Sequence, residues 1–250
     1  MNLCGLIGYL LGHSFSKKYF THKFECEGLG DCYFELFPLG DIQQFPQLLM
    51  ENEALKGLAV TIPYKQAIIP FLDNVSPEAV KIGAVNCIQF HAGKLSGFNT
   101  DVVGFEKSFL PLLEPHHKKA LLLGTGGASK AVQYILSKHS IPFTLVSRSA
   151  DAERGIINYA SLTQQVLSEH LIVINCSPVG MAPNEKDKPA LPYEFITDRH
   201  YFYDLVYGPL QTAFLMEGNS RGPIVKDGNE MLVLQAAENW RVWNADDSIL

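Results

Sequence analysis

The chain has 250 residues, 47% hydrophobic and 18% charged, enough to bury one large core or two modest ones and unlike a disordered or low-complexity chain. A formal net charge of −6 and a pI near 5.7, with no dense Lys/Arg cluster, argue against a nucleic-acid surface and leave a small molecule as the expected partner. Cys4, Cys26, Cys32, Cys87 and Cys176 form no C-x-x-C pair and fit reduced structural thiols in a cytosol; the histidines include no H-E-x-x-H, so no metal is expected.

The opening MNLCGLIGYLLGHSF lacks a basic leader and a small-residue cleavage site and is too short to span a bilayer. It is expected to be a first buried strand of a cytoplasmic protein. A rough helical face (Phe15, Tyr19, Phe20, Phe24) follows, then a strand in CYFELF, a helix in DIQQFPQLLMENE, a strand in GLAVTI and a helical segment from Tyr64. Strands spaced by crossover helices imply a largely parallel α/β sheet. Pro63 has no N–H for the ladder, so the strand stops there and Lys65 falls just beyond its end. Ligands bind on that side of open α/β sheets, although a solvent-facing lysine fits the same stretch. In GAVNCIQFHAGKLSGFNTD, two strand-like runs flank His91-Ala92-Gly93, a hairpin signal, and deliver the chain to FNTD at 98–101. A domain boundary is expected there, bridged by a helix in DVVGFEKSFLPLL. The pair His116-His117, in EPHHKK, reads as a solvated loop.

A second α/β series begins at residue 118, with Ala120 to Leu123 as a buried strand and Ala128, Ala131, Val132, Ile135 and Leu136 on one helix face. FTLVS is the returning strand, LIVINCS, YFYDLV and PIVKDG continue the series, and NEMLVLQAAENWRVW closes it as an amphipathic helix. Between the first strand and helix stand Gly124, Gly126, Gly127 and Ala128, a variant Gly-rich turn. Such a turn lets backbone N–H groups approach a pyrophosphate at a helix N-terminus; a ligand-free strand–helix turn is the plainer alternative. The next strand ends Ser147-Arg148-Ser149, where a carboxylate would select NAD. An arginine grips a 2′-phosphate instead, so NADP is favoured.

Taken together, LGHSFS (11–16), VTIPYK (60–65), GAVN (83–86), FNTD (98–101), GTGGA (124–128), SRS (147–149), NCSPVGM (175–181), DLVYGPLQTAFL (204–215) and DGNEMLVLQA (227–236) resemble the shikimate dehydrogenase (shikimate/quinate dehydrogenase) family, in its order and over nearly the whole chain. The resemblance implies two α/β domains with the active site in the cleft between them. Residues 1–101 with 228–250 would form the substrate domain, its sheet mainly parallel, and 102–227 a Rossmann-like NADP-binding domain. It implies NADPH-dependent reduction of 3-dehydroshikimate to shikimate in aromatic amino acid biosynthesis, by a monomer or homodimer without membrane or nucleic-acid partners. Residue by residue, it makes Lys65 and Asp101 the catalytic pair, gives the substrate carboxylate to Ser14 and Ser16, and gives the ring hydroxyls to Thr61, Asn86, Asp101 and Gln235, with Tyr207 nearby. Ser177, Leu205 and Gly228 would join the Gly-rich turn and the SRS triplet around the cofactor.

Hydroxyl, amide and carboxylate groups suit a polyhydroxylated ring, because leaving them unpaired rejects analogues that lack a hydroxyl. Ser14 and Ser16 fit a helix cap equally, and Gln235 an ordinary helix-surface amide. Lysine works as a base at neutral pH only where its proton affinity is lowered, and an ionised Asp101 acts the other way. Asp101 is therefore assigned mainly to positioning, with its proton role open. The chain departs from the family at Lys17 (usually Pro), Phe20-Thr21 (often His-Asn), Ala59 (Asn), Cys87 (Thr) and Ala152 (often a second Arg), with Arg154 as a substitute for the last. These departures leave quinate activity, some NAD use, or a catalytically weak NADPH-binding relative as alternatives.

Overall fold

In the computed structural model, which describes residues 2–9, 11–12 and 14–245, the chain divides into two units, Met1–Thr100 with Gln235–Leu250, and Asp101–Leu234. The first unit opens with β1 (Asn2–Gly8), whose residues after Asn2 are buried throughout, as expected of a central strand covered on both faces. There follow α1 (Phe15–Cys26), β2 (Cys32–Pro38), α2 (Phe45–Glu51), β3 (Leu55–Val60), β4 (Asn74–Val75), α3 (Pro77–Ile82), β5 (Cys87–His91) and β6 (Lys94–Phe98). They form one sheet in the order β2-β1-β3-β5-β6-β4. Strands β1, β2 and β3 pair parallel, whereas β5 is antiparallel to both β3 and β6. Ala92 and Gly93 turn the β5–β6 hairpin with φ of 49° and 73°, the left-handed pair that a two-residue type I′ turn requires.

Alternate side chains of β1 feed two cores. Leu3 and Ile7 join Phe45, Leu48, Leu58 and Ile88, while Cys4 and Leu6 join Phe20, Phe24, Phe34 and Trp243. On α1 only Phe20 and Phe24 are buried, so the expected aromatic face is narrower than its sequence. The helix expected from Tyr64 does not form: residues 62–68 are turns, followed by one 3-10 turn at Ile69–Phe71. The Lys65 carbonyl, which an α-helix would pair with the Ile69 N–H, accepts from Val85 N at 2.7 Å, and Ile69 N donates to Gln66 instead. Pro70 then offers no N–H to continue.

The second unit contains α4 (Asp101–Phe109), β7 (Ala120–Leu123), α5 (Gly127–Lys138), β8 (Phe143–Ser147), β9 (Ile156–Asn158), α6 (Gln164–Glu169), β10 (Ile172–Asn175), β11 (Tyr201–Asp204), α7 (Ala213–Asn219) and β12 (Ile224–Lys226). Its sheet runs β12-β11-β10-β7-β8-β9 with every pairing parallel. In the unit's own count this is the 3-2-1-4-5-6 order of doubly wound nucleotide-binding sheets. β7 and β10 lie at its centre and are buried along their whole length. α5 buries Ala131, Val132, Ile135 and Leu136 as expected, but Ser129 takes the inward place expected of Ala128. The closing helix α8 (Asn229–Trp243) passes from one unit to the other at Gln235.

His117 is a correction to the solvated-loop reading. It is buried, its Nδ1 accepts the Glu114 N–H at 2.9 Å, and its Nε2 faces the Arg199 carbonyl at 3.1 Å. The ring closes the turn before β7 and ties it to the loop before β11, a role that depends on contacts distant in sequence. Among the described residues no helix is long and apolar enough to cross a membrane, and no group of three or more His, Cys, Asp or Glu is placed to hold a metal ion.

Candidate active site

In the first unit the chain leaves β1 for β2 on one side and leaves β3 for β4, at the far edge, on the other, so a crevice is expected at the carboxyl ends of β1 and β3. The two loops there are joined by backbone bonds, Thr61 N to Ile7 O at 3.0 Å and Tyr9 N to Ile62 O at 3.3 Å. The approach is so close at Gly8 that a Cβ would stand 2.6 Å from Thr61 Cγ2. Ser14 follows β1 and accepts the Lys17 N–H at 3.3 Å as the N-cap of α1, so the cap reading is correct for its Oγ. Ser16 lies in the first turn of that helix, and Ser14, Ser16, Thr61 and Lys65 are all half-buried. Lys17, where the family pattern has proline, reaches outward to Glu35 Oε2 at 2.6 Å.

Lys65 is held through its backbone to Val85, and the next residue, Asn86, returns a carbonyl to Val60 N at 2.8 Å. The Asn86 side chain donates from Nδ2 to Gln235 Oε1 at 3.1 Å. Gln235 is therefore a buried amide facing the sheet and not the surface amide that its helix position allowed. Thr61, Lys65, Asn86 and Gln235 thus belong to one ledge of the first unit. Asp101 and Tyr207 belong to the second. Asp101 opens α4 and is buried; Tyr207 lies in the loop after β11 with 40% of its surface exposed.

The second unit has its own crevice where the strand order reverses, between β7 and β10. Gly124 leaves β7 with φ +109°, and a Cβ there would stand 3.1 Å from Ser177 N, so glycine is required both by conformation and by the approach of the β10 loop. Gly126 is the N-cap of α5 and supplies no side chain to its first N–H groups, while the space beside Gly126 and Gly127 is open. An uncapped helix start behind an open glycine turn suits a pyrophosphate, and NADP fits these residues. Ser147 is half-buried at the end of β8, with Arg148 and Ser149 exposed beyond it. Ala152 leaves its place without charge, and Arg154 is drawn toward Asp151, Nε to Oδ2 at 4.0 Å.

Beneath these loops lies a polar knot that sequence reasoning passed over. Asp204, wholly buried at the end of β11, accepts from Asn175 Nδ2 at 2.9 Å, Val206 N at 3.0 Å and Thr212 Oγ1 at 2.6 Å. Burial pushes its carboxyl up to about 6 against the pull of those bonds. Asn175 Oδ1 in turn receives both the N–H and the hydroxyl of Ser177 at 3.1 and 2.6 Å, turning that hydroxyl inward. Leu205 N donates to Asn175 O, and a Cβ on Gly228 would lie 2.5 Å from Leu205 O, which fixes the Leu205 and Gly228 segments against each other. Asn175, Asp204 and Thr212 all fall inside quoted motifs, yet their spacing carries no sign that they meet.

The segment 6–88 matches the model of the shikimate dehydrogenase substrate binding domain. The shikimate dehydrogenase (NADP(+)) of Oleidesulfovibrio alaskensis is 37% identical over 255 aligned positions, spanning 96% of this chain and 89% of that protein. The Thermus thermophilus shikimate 5-dehydrogenase, solved in complex with NADP(H) and shikimate, superposes with a TM-score of 0.85 at 32% identity, covering 98% of this chain and 94% of that one. The quinate dehydrogenase of Corynebacterium glutamicum, solved in complex with NAD, gives a TM-score of 0.86 at 26% identity over 97% of this chain and 93% of that one.

Proposed function

The chain belongs to the shikimate dehydrogenase family, and from that premise we propose how its own residues divide the NADP-dependent, reversible reduction of 3-dehydroshikimate to shikimate. The enzyme is an oxidoreductase of aromatic amino acid biosynthesis. Residues 1–101 with 228–250 mainly serve the substrate and 102–227 mainly the nucleotide, with Tyr207 and Gly228 as exceptions and Asp101 counted by its role although it opens the second compact unit. When bound, NADPH supplies a hydride to the C3 carbonyl carbon. Lys65 Nζ donates the proton that the C3 oxygen then needs, and in oxidation it takes the proton of the C3 hydroxyl. Asp101 positions the lysine and the neighbouring hydroxyl. Ser14 and Ser16 receive the substrate carboxylate, and Thr61, Asn86 and Gln235, with Tyr207, pair the ring hydroxyls. The turn Gly124, Gly126, Gly127 and Ala128 receives the pyrophosphate, Ser147, Arg148 and Ser149 the 2′-phosphate, and Ser177, Leu205 and Gly228 line the remainder of the cofactor.

This division is supported above all by the ledge that ties Lys65, Asn86 and Gln235 together at the carboxyl ends of β1 and β3. Shikimate-dependent reduction of NADP, followed by absorbance, tests it. Lys65→Ala is expected to lose ~10²–10⁴ of kcat with little change in KM. A rise in KM alone would make Lys65 a binding residue.

Asp151 and Arg154 favour a second reading, relaxed cofactor use. The sole arginine of the SRS triplet has a carboxylate three residues away, and Arg154 leans on that carboxylate. Initial rates with NAD and with quinate separate the two: strict NADP and shikimate use excludes this reading.

A further inference from the structure

Behind the Asn86–Gln235 pair the amides continue inward. Thr100 N donates to Asn86 Oδ1 at 2.6 Å. The Thr100 hydroxyl stands 3.2 Å from that same oxygen and 2.6 Å from Oδ1 of Asn239, one helical turn beyond Gln235 on α8. Asn239 is completely buried, and its Nδ2 meets no partner among the described residues. Its helix neighbours Ala236, Val242 and Trp243 fill the surrounding core with apolar groups. A position serving packing alone would be apolar too, since an unpaired buried amide is costly.

The hydroxyl has one proton for two carbonyl oxygens. With the Asn239 oxygen toward it, Asn239 takes that proton and Asn86 keeps the Thr100 N–H. With the Asn239 amide turned the other way, its N–H donates to Thr100 and the hydroxyl proton passes to Asn86. Either way Asn239 decides where that proton goes. Asn86, its oxygen held from behind, directs Nδ2 to Gln235 Oε1, and among the described residues no group takes the Gln235 N–H bonds.

We propose that Asn239, acting through Thr100, is a positioning residue that fixes the Asn86 and Gln235 amides in the orientation that receives the substrate ring. The proposal rests on the reading of Asn86 and Gln235 as substrate ligands. It makes Asn239 part of the recognition of shikimate without touching it, with no role in the proton step and none in holding the nucleotide.

The test compares Asn239→Ala, Thr100→Val, Gln235→Ala and the double variant Asn239→Ala/Gln235→Ala in steady-state shikimate oxidation. Thr100→Val keeps the N–H and the shape while removing the hydroxyl, so it carries the test if Asn239→Ala folds poorly. Asn239→Ala and Thr100→Val are each expected to raise the KM for shikimate roughly three- to tenfold, the loss of one oriented hydrogen bond, with kcat within about twofold and the KM for NADP unchanged. In the Gln235→Ala background, Asn239→Ala should add less than it does in the parent, because only its effect through Asn86 remains. If Gln235→Ala raises the KM while Asn239→Ala and Thr100→Val do not, or if the effects simply add, the positioning role is wrong and the substrate reading stands. If Gln235→Ala itself leaves the KM unchanged, the substrate reading fails and the proposal falls with it.

Discussion

The cysteines show how far one residue type can be read alone and where its neighbours take over. Cys4, Cys87 and Cys176 are buried, Cys32 is half-buried and Cys26 is exposed. Burial pushes the Cys4 thiol up to about 12 and those of Cys87 and Cys176 well above the ordinary range, so at neutral pH they are protonated, inaccessible and unreactive. An aromatic disulfide reagent applied to the native enzyme at pH 7.5 should therefore modify Cys26 first without loss of activity. The three buried thiols should react fully only in denaturant, with the half-buried Cys32 between these extremes. Peptide mapping after a short exposure checks this, and early labelling of Cys87 would contradict the packing beneath Trp243. The expectation of reduced, structural thiols is legible from their scatter. Which one faces water is not, because Cys26 and Cys32 sit in similar polar surroundings in the sequence and differ only in what folds over them.

Among the elements, those with long periodic patterns are legible, as are the short strands β7, β10, β11 and β12 of the second sheet, while other short ones are not. β4, β9, α3, α6 and α7 run from two to seven residues, too few for a period to show against loop composition. The run after β3 has a helical pattern, but Val85 takes the Lys65 carbonyl that a helix would need. The SRS triplet is legible because it closes a strand at a fixed place after the Gly-rich turn. Arg148→Ala should raise the KM for NADP about ten- to thirtyfold while changing that for NAD less than about twofold, as loss of a charge-assisted phosphate contact requires. Equal effects on both cofactors would place Arg148 elsewhere. Packing between elements gives a sharper case at Gly57 in β3. A Cβ there would stand 2.1–2.3 Å from three atoms of the Trp243 ring, which also packs 5.2 Å from Phe20, centroid to centroid, so it cannot swing freely. Gly57→Ala should cost about 1–3 kcal/mol and lower the Tm by roughly 2–10 °C in a thermal scan. A neutral substitution would mean that α8 shifts readily on the sheet.

For the whole molecule, acid should act on the two units unequally. The second unit buries three histidines, His117, His170 and His200, whose pKa values are lowered first by desolvation. Two of them use Nδ1 as an acceptor, from Glu114 N at 2.9 Å and from Thr197 N at 3.1 Å, and that bond is lost when the ring is protonated. A histidine whose folded value lies below its unfolded value of about 6.5 contributes stability that is present above that value and lost as pH falls through the folded one. Asp204 has the opposite sign. Its carboxyl is raised to about 6, so its contribution is present below its ordinary value of 3.8 and lost as pH rises through about 6. Between about pH 6.5 and 5 the three histidines outnumber the one aspartate, and the second unit should weaken on acidification. In the first unit, His22 and His91 are not buried, and both tryptophans, Trp240 and Trp243, report on it alone. Urea unfolding at pH 7.5 and pH 5 should therefore show the amide-exchange protection of β10 and β11 lost at lower urea than the tryptophan fluorescence at the acid pH. The two midpoints should lie closer together at pH 7.5. Asp204→Asn removes the opposing slope, so its acid loss between pH 6.5 and 5 should be steeper than in the parent. If instead the tryptophan signal is lost first at pH 5, the buried histidines do not govern the acid stability of this fold.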